Sequence, residues 1–319
     1  MRMMRAHKKL LRTGIMLLVA GLIISGISFA ALGFDIRALS TANFVTNEHE
    51  INDSFENISI KGDTADIAFV QSEDGKCRVV CFEDEKEPHR VSAESGTLTI
   101  EHKKKIKLYI SIVPDRPKVT VYLPEKAYKA LSVDTDTGDV SIPDAFTFEN
   151  VGIKTDTGDI DMSASAGDVT LKTDTGSIRL HDMTADTLSL STDTGCTGVN
   201  NAACKGTLNA KVNTGKTDFS EVTCANLYSK GNTGRLNLTN VTAAGEFHIE
   251  RDTGDVHFEG CDAEAIFVKT DTGNVTGSFR TDKVFLTKTD TGRVDVPKTI
   301  TGGRCEITTD TGNIKISVP

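Results

Sequence analysis

Val169-Thr170-Leu171-Lys172-Thr173-Asp174-Thr175-Gly176-Ser177-Ile178-Arg179-Leu180 is the stretch whose reading decides the fold. Apolar residues alternate before the glycine, at 169 and 171, and again after it, at 178 and 180. Period-2 alternation among Val, Thr and Ile is the mark of a half-buried strand. Asp-Thr-Gly between two such runs reads as a corner. Glycine accepts positive φ at no steric cost, and Asp or Asn can bond its own downstream backbone. The corner recurs at Gly138, Gly158, Gly176, Gly195, Gly215, Gly234, Gly254, Gly273, Gly292 and Gly312, with spacings of 20, 18, 19, 20, 19, 20, 19, 19 and 20 residues. Threonine precedes the glycine in all ten copies, and the residue before it is Asp in eight and Asn in two (Asn213, Asn232).

A fixed period of this size defines a repeat architecture, in which each unit buries its apolar face by stacking on its neighbours. Positions two and four after the glycines are mostly apolar, from Val140 and Ile142 to Ile314 and Ile316, so one face points inward in every coil. Helical i, i+3, i+4 spacing is absent from this part of the chain. The expectation is an all-β, right-handed parallel β-solenoid of about 19–20 residues per coil. Coils stacked at ~4.8 Å make ten repeats into a rod of about 48 Å.

The chain has 319 residues, long for one globular core but natural for a solenoid, which grows in one dimension. Residues 1–12 hold Arg2, Arg5, Lys8, Lys9 and Arg12 and no acid, and Ile15–Phe34 follow without a charge. Twenty residues at 1.5 Å each span a ~30 Å hydrocarbon core. The basic flank then keeps the N-terminus cytoplasmic and puts the rest outside. Ser28-Phe29-Ala30 also resembles a signal-peptidase site, so a cleaved signal competes with the anchor. The apolar run exceeds the usual 7–15 residues of a signal core, which favours the anchor. No cysteine follows it, which argues against a lipoprotein.

The expected organisation is a cytoplasmic basic tail over 1–12, a transmembrane anchor over 13–34, a linker over 35–50 and an extracellular solenoid over 51–319. Phe55–Ile67 matches Phe148–Ile160 at nine of thirteen positions, so the repeat begins near residue 51 with a degenerate coil. Residues 51–130 read as degenerate N-terminal coils and 131–319 as the regular repeats. Strand-like runs at Cys77–Phe82, Thr97–Glu101, Lys107–Val113 and Lys118–Leu123 are broken by Pro114, Pro117 and Pro124 and form the expected cap. No equivalent cap follows the last repeat, which puts Asn313–Val318 at an open edge.

The formal charge is −9; because residues 1–12 hold five of the 36 basic side chains, residues 13–319 carry 31 basic and 45 acidic ones, or −14. That disfavours a nucleic-acid-binding ectodomain. Seven cysteines in a secreted chain suggest disulfides. Register argues otherwise, because Ala185, Cys204, Cys224, Ala243 and Ala263 stand nine residues after successive glycines, as a column of small buried positions would. A Cys204–Cys224 bridge stays open, since stacking gives a permitted Cα separation but parallel Cβ vectors. Cys77 and Cys81 lie on one face of one strand, about 13 Å apart and beyond bridging distance.

Asp-Thr-Gly is also the aspartic-protease triplet, but there it occurs once per lobe across a two-fold cleft. Ten copies at coil spacing place the carboxylates in a row and exclude that chemistry. Calcium is one neutraliser for such a row, as at Asp174 and Asp193. The other is a lysine column four residues before the glycines, Lys154, Lys172, Lys211, Lys230, Lys269 and Lys288, which is the preferred reading. The seven histidines share no register, the cysteines have no zinc-type spacing, and no Gly-x-Ser-x-Gly elbow occurs. No catalytic, cofactor or metal residue is assigned.

Lys118-Val119-Thr120-Val121-Tyr122-Leu123-Pro124, followed by Leu131-Ser132-Val133 and Thr135-Asp136-Thr137-Gly138-Asp139-Val140-Ser141-Ile142, resembles the bacterial "putative adhesin" β-strand-repeat family. That family of unknown function includes an anchored protein of the Lia-type envelope-stress operons. The resemblance spans about residues 51–319, and the N-terminal anchor is similar too. It implies a β-solenoid ectodomain on a bacterial cell membrane, linked to envelope sensing or adhesion, with no catalytic residues to carry over. Two function classes follow. One is a non-enzymatic surface scaffold that binds a protein or envelope component; the other is a polysaccharide-active β-helix lyase or hydrolase.

Protease added to protoplasts is expected to digest the chain beyond about residue 40 and to spare the N-terminal tail. A mature N-terminus near Ala31 would overturn the anchored topology.

Overall fold

The computed structural model describes residues 2–31, 33–34, 43–102 and 116–319, with side chains described from Thr13 onward. The strand expected at Lys107–Val113 lies outside the described residues. The first element, α1 (Arg2–Ala31), contains one stretch, Thr13–Ala31, long and apolar enough to cross a membrane, and it is not buried against the described part of the β-structure. The helix stops at Ala31 and not at Phe34, because Gly33 and Phe34 turn left-handed (φ 64° and 60°). Their N–H groups donate back to Ala30 O and Phe29 O, both at 3.0 Å, which closes the last turn as a Schellman cap.

All remaining regular structure among the described residues is β. From Ala127 onward each coil contributes one strand before its glycine and one after it, and each pairs in parallel with the equivalent strand of the next coil. Corresponding residues meet, such as Val151 with Val169, Leu171 with Leu190, and Ile178 with Thr197. The inward positions line one continuous core between the two strand stacks, with Ile160, Met162, Ile178, Leu180, Leu236 and Leu238 at 1% exposure or less. The protein is therefore a β-solenoid with one apolar N-terminal helix.

The corner glycines are required by the stacking itself. A Cβ on Gly158 would lie 2.0 Å from Gly138 O, and a Cβ on Gly215 1.8 Å from Gly195 O. Their φ angles of 153° and 148° are also ones that L-residues rarely adopt. Each corner N–H donates across to the next coil, Gly138 N to Thr157 O and Gly158 N to Thr175 O, both at 2.9 Å. Three residues before the glycine a buried threonine adds a side-chain bond to the preceding corner. Thr173 and Thr192 donate to Gly158 O and Gly176 O at 3.0 Å. The structural motif is thus Thr-Asp-Thr-Gly.

A second corner, six residues after the glycine, is invisible to the period-2 reading. Asp182, Asn201, Glu221 and Asn240 all have φ between 50° and 54° there. Side chains bond up this column, Asn201 Nδ2 to Asp182 Oδ1 at 2.6 Å and Asn240 Nδ2 to Glu221 Oε1 at 2.5 Å.

Both ends depart from a simple stack. At the N-terminal end, β1 (Phe44–Ile51) starts inside the segment expected to be linker. The coil formed by β2 (Asn57–Lys61) and β3 (Asp66–Gln71) is a true repeat, and Ala65 takes the corner position with its carbonyl facing Gly138. Its neighbours across the stack are β8 (Ala127–Thr137) and β9 (Val140–Ile142), to which β2 and β3 are parallel. The intervening β4 (Cys77–Asp84), β5 (Arg90–Glu94), β6 (Thr97–Glu101) and β7 (Lys118–Leu123) lie on its outer side. There β1 with β4, β4 with β7, and β5 with β6 are antiparallel. Residues 51–130 thus hold the coil of β2 and β3, an outer layer in which β6 and β7 pair in parallel with that coil, and β1, β4 and β5 added antiparallel as a cap. Hairpin connections need few residues, whereas parallel pairing needs a full crossover.

At the C-terminal end the coil order is exchanged. Strand Gly303–Thr311 inserts between Val256–Thr272 and Lys283–Thr291, and Ile314–Ser317 between Val275–Phe279 and Val294–Asp295. The last repeat in sequence is thus second from the end in space. The expectation of an open edge at Asn313–Val318 is corrected: Ile314 and Lys315 are paired on both sides, Ile316 and Ser317 on one, and Ile314 and Ile316 are buried. Gly302 and Gly303 make the insertion possible. Cβ atoms there would stand 1.8 Å from Asp282 O and 2.0 Å from Glu264 O.

Gly215→Val is expected to lower the melting temperature far more than Asn213→Ala. The asparagine supplies one surface bond, 2.7 Å to Asp193 Oδ1, worth about 1 kcal/mol. The valine meets both a forbidden φ, worth about 1–3 kcal/mol, and the Gly195 carbonyl. Equal shifts in thermal melts of the two variants would contradict the stacked corner.

Candidate functional site

The strand and corner residues expected to matter chemically are mostly absorbed by stacking. The motif carboxylates meet the lysine column in several coils, with Lys172–Asp174 at 3.0 Å, Lys288–Asp290 at 3.1 Å and Lys154–Asp156 at 3.4 Å. The residue whose side chain accepts a backbone N–H from the next coil is the one after the glycine. Asp159 N–H donates to Asp139 Oδ1 at 2.8 Å and Ser177 N–H to Asp159 Oδ1 at 2.7 Å. The run Asp255, Asn274, Asn313, Arg293 continues the same ladder in the exchanged order. The Asp or Asn that follows five of the ten corner glycines was the available signal.

A groove of about 340 Å³ runs along these corners beside Asp66, Asp139, Asp159 and Arg116. Converging acids and an arginine are what a glycan-active site would need. Here the three carboxylates stand in one column, and each accepts from the N–H one coil further along. No two of them face each other across the groove, as an acid and a nucleophile or base must.

The expected column of small residues is confirmed. Ala185, Cys204, Cys224, Ala243 and Ala263 are all buried, in register, and the cysteines are unbridged. Burial pushes the Cys224 thiol up to about 12. Cys77 and Cys81 are free and both face inward from β4. Cys196 alone among the seven is exposed.

Two places remain that stacking does not explain. The first is the terminal Gly292 coil. Among the described residues, Lys283–Thr291 and Val294–Asp295 pair on one side only, leaving a free strand edge. Leu286, Val294 and Ile300 are exposed there at 51%, 45% and 92%. An open hollow of about 510 Å³, lined by Val296, Pro297, Ile316 and Val318 among others, adjoins them. The coil is pinned from below by Lys283, whose buried ammonium donates to Asp262 Oδ1 and Thr281 Oγ1 at 2.6 Å.

The second is a polar cluster inside the cap. Cys81 and Glu83 project inward from β4, 0% and 1% exposed, and His49 projects to the same side from β1. Asn47 Nδ2 donates to Glu83 Oε1 at 2.6 Å, while the His89 N–H and Nδ1 approach Oε2 at 2.6 and 2.5 Å. Burial holds His89 below the usual imidazole range, although its bond to Glu83 opposes the shift. Burial, and secondarily the Glu83 charge, pushes the Cys81 thiol up to about 12. His49 Nε2 and His102 Nδ1 are buried without a hydrogen-bond partner among the described residues, at a typical cost of about 1–3 kcal/mol for each group. Sequence spacing could not reveal this cluster, because antiparallel pairing brings 49 to 81 without a repeat register.

A solenoid closed by an antiparallel cap at one end and a free edge at the other defines a repeat protein of the stacked-coil class. The Toastrack DUF4097 family matches residues 55–207 and 201–319, and the chain belongs to that family. Among solved structures it is similar to a "putative adhesin" from Parabacteroides distasonis, at 12% identity and a TM-score of 0.44, over 84% of this chain and 98% of that one. A "putative adhesin" from Bacteroides fragilis is similar at 14% identity and a TM-score of 0.33, over 86% and 97%. A "putative lipid binding protein" from Parabacteroides distasonis is similar at 14% identity and a TM-score of 0.36, over 87% and 98%. No curated protein matches the chain.

Thiol titration of the native chain is expected to find one fast-reacting cysteine, lost in Cys196→Ser. Unfolding without reductant should release all seven. Recovery of two or more disulfides would contradict the buried free thiols.

Proposed function

We propose that the chain is a membrane-anchored, non-enzymatic binding protein of the bacterial envelope, with α1 as the anchor, the β-domain outside the cell and the Gly292 coil as the docking edge. The observation that carries this reading is the free edge of Lys283–Thr291, with Leu286 and Ile300 exposed beside it. A strand edge offers unpaired N–H and C=O groups to an extended partner segment, and adjacent apolar side chains supply specificity. Natural sheets usually blunt such edges, so an apolar one has a use. The edge lies at the end of the stack opposite β1, the strand that follows α1. That placement suits a tethered protein reaching outward toward an envelope protein or another envelope component, in adhesion or in envelope-stress sensing.

The absence of an acid–base pair facing across the corner groove supports binding over glycan cleavage. Membership of the Toastrack family is compatible with this but names no ligand.

A photocrosslinking residue at Leu286 is expected to give adducts in intact cells several times more abundant than one at Thr170 on the middle flank. Equal labelling at both sites would remove the edge from the proposal. Release of sugar fragments from envelope polymers with multiple turnovers would overturn the non-enzymatic reading.

A further inference from the structure

We propose that His49, Cys81 and Glu83 form a binding site for a divalent metal ion of the zinc class, which ties β1 to β4 inside the cap. The imidazole nitrogen, thiol sulfur and carboxylate oxygen of these three residues all lie within 4.8 Å of one another. Around tetrahedral zinc, with Zn–S near 2.3 Å and Zn–N and Zn–O near 2.0–2.2 Å, ligand atoms stand roughly 3.3–3.8 Å apart. Ligand atoms at the 4.8 Å limit would have to close by about 1–1.5 Å to reach that spacing. Antiparallel register supplies the arrangement. Asn47 pairs with Cys81 and His49 with Val79, so His49 sits diagonal to Cys81 on the inward face, and Glu83 follows Cys81 at i+2 on that face.

The donor set selects the class of metal. One sulfur, one imidazole and one carboxylate suit zinc and its neighbours, whereas calcium and magnesium require mainly oxygen donors. The surroundings resemble a supporting shell. Asn47 and His89 already hold the Glu83 carboxylate by three contacts of 2.5–2.6 Å, leaving further lone pairs on its oxygens for a metal. His49 Nε2 is buried with nothing to bond among the described residues, and a ligand role would satisfy it. His102, whose ring lies 5.1 Å from that of His89, adds a second nitrogen without a partner at the border of the site.

Binding would release the Cys81 thiol proton to solvent and leave a thiolate on the metal, with neutral His49 and ionised Glu83. Water completes the fourth position, and half-buried His49 marks the way in. Cys77, the other inward thiol of β4, is four residues away on the same strand and does not compete for Cys81 as a disulfide partner. The proposal is independent of the docking edge, which lies at the other end of the stack.

The test is cobalt titration of the full chain in detergent micelles. One equivalent of Co²⁺ should bind with a near-ultraviolet thiolate-to-cobalt charge-transfer band, and Zn²⁺ should displace it. Cys81→Ser should abolish the band, and His49→Gln should keep it while weakening binding by about 10-fold or more. Replacing His257, exposed and far along the stack, should change neither. The unmodified chain alone is decisive even if a variant fails to fold. No charge-transfer band at saturating cobalt overturns the proposal, as does a band that survives in Cys81→Ser.

Discussion

Coil stacking in this protein rests on one contact, the corner glycine of each coil against the corner carbonyl of the coil beneath. A Cβ at these positions would lie 1.8–2.0 Å from that oxygen in every regular coil from Gly138 to Gly312. Nothing larger than hydrogen fits at these ten corners; Ala65 holds the corner position only in the first coil, whose own carbonyl receives Gly138. The other features align to that column. The Gly N–H reaches the next coil's threonine carbonyl, the buried threonine hydroxyl reaches the previous corner, and the inward residues of both stacks fall into register. Chain period, apolar alternation and glycine position are therefore one constraint seen three ways.

That constraint is why the solenoid was legible from a single twelve-residue stretch. Each coil repeats the same local solution, and the match between Phe55–Ile67 and Phe148–Ile160 placed even the first coil, where Ala65 replaces the glycine. The role of the motif aspartate was only half legible. Its lysine partners follow from spacing, but the side chain that accepts the next coil's backbone N–H is that of the residue after the glycine, and only three-dimensional register distinguishes the two. The second corner at Asp182, Asn201, Glu221 and Asn240 left still less trace, because four residue types share one backbone conformation there.

The order of coils at the ends was not legible, and Asn313–Val318 was misread as an open edge, because both ends break the rule that sequence neighbours stack as neighbours. At one end the coil of β2 and β3 lies between the cap and β8; at the other the Gly312 coil lies between those of Gly273 and Gly292. In both cases the first or last coil of the domain is second from the end in space. The outermost layer at each end is therefore one that the chain enters and leaves by its own connections. The doublet Gly302-Gly303 was the trace of the C-terminal exchange in the sequence, though a glycine pair alone reads equally well as an ordinary turn. The cap cluster was illegible for a related reason: β1 reaches β4 by antiparallel pairing between segments that share no repeat.

The buried threonine column shows how far the stacking rule can bend. It runs through Thr155, Thr173 and Thr192, then changes to Val212, Gly231 and Arg251 before resuming at Thr270. Arg251 is 3% exposed and forms no ion pair with a described carboxylate. Its guanidinium donates to Glu250 O at 2.8 Å and Ser229 Oγ at 2.9 Å, and burial lowers its pKa to about 10. An arginine can enter this column because the coil below carries no side chain. A Cβ on Gly231 would lie 3.2 Å from the guanidinium carbon. Gly231 and Arg251 are thus a single substitution spread over two coils, in which one residue yields the volume that the other fills. The uncompensated charge costs stability, but the corners at Gly234 and Gly254 keep the same carbonyl contacts as their neighbours. The inward column tolerates a change of chemistry as long as its volume is shared between adjacent coils, whereas the corner column from Gly138 to Gly312, with a carbonyl at 1.8–2.0 Å, tolerates none.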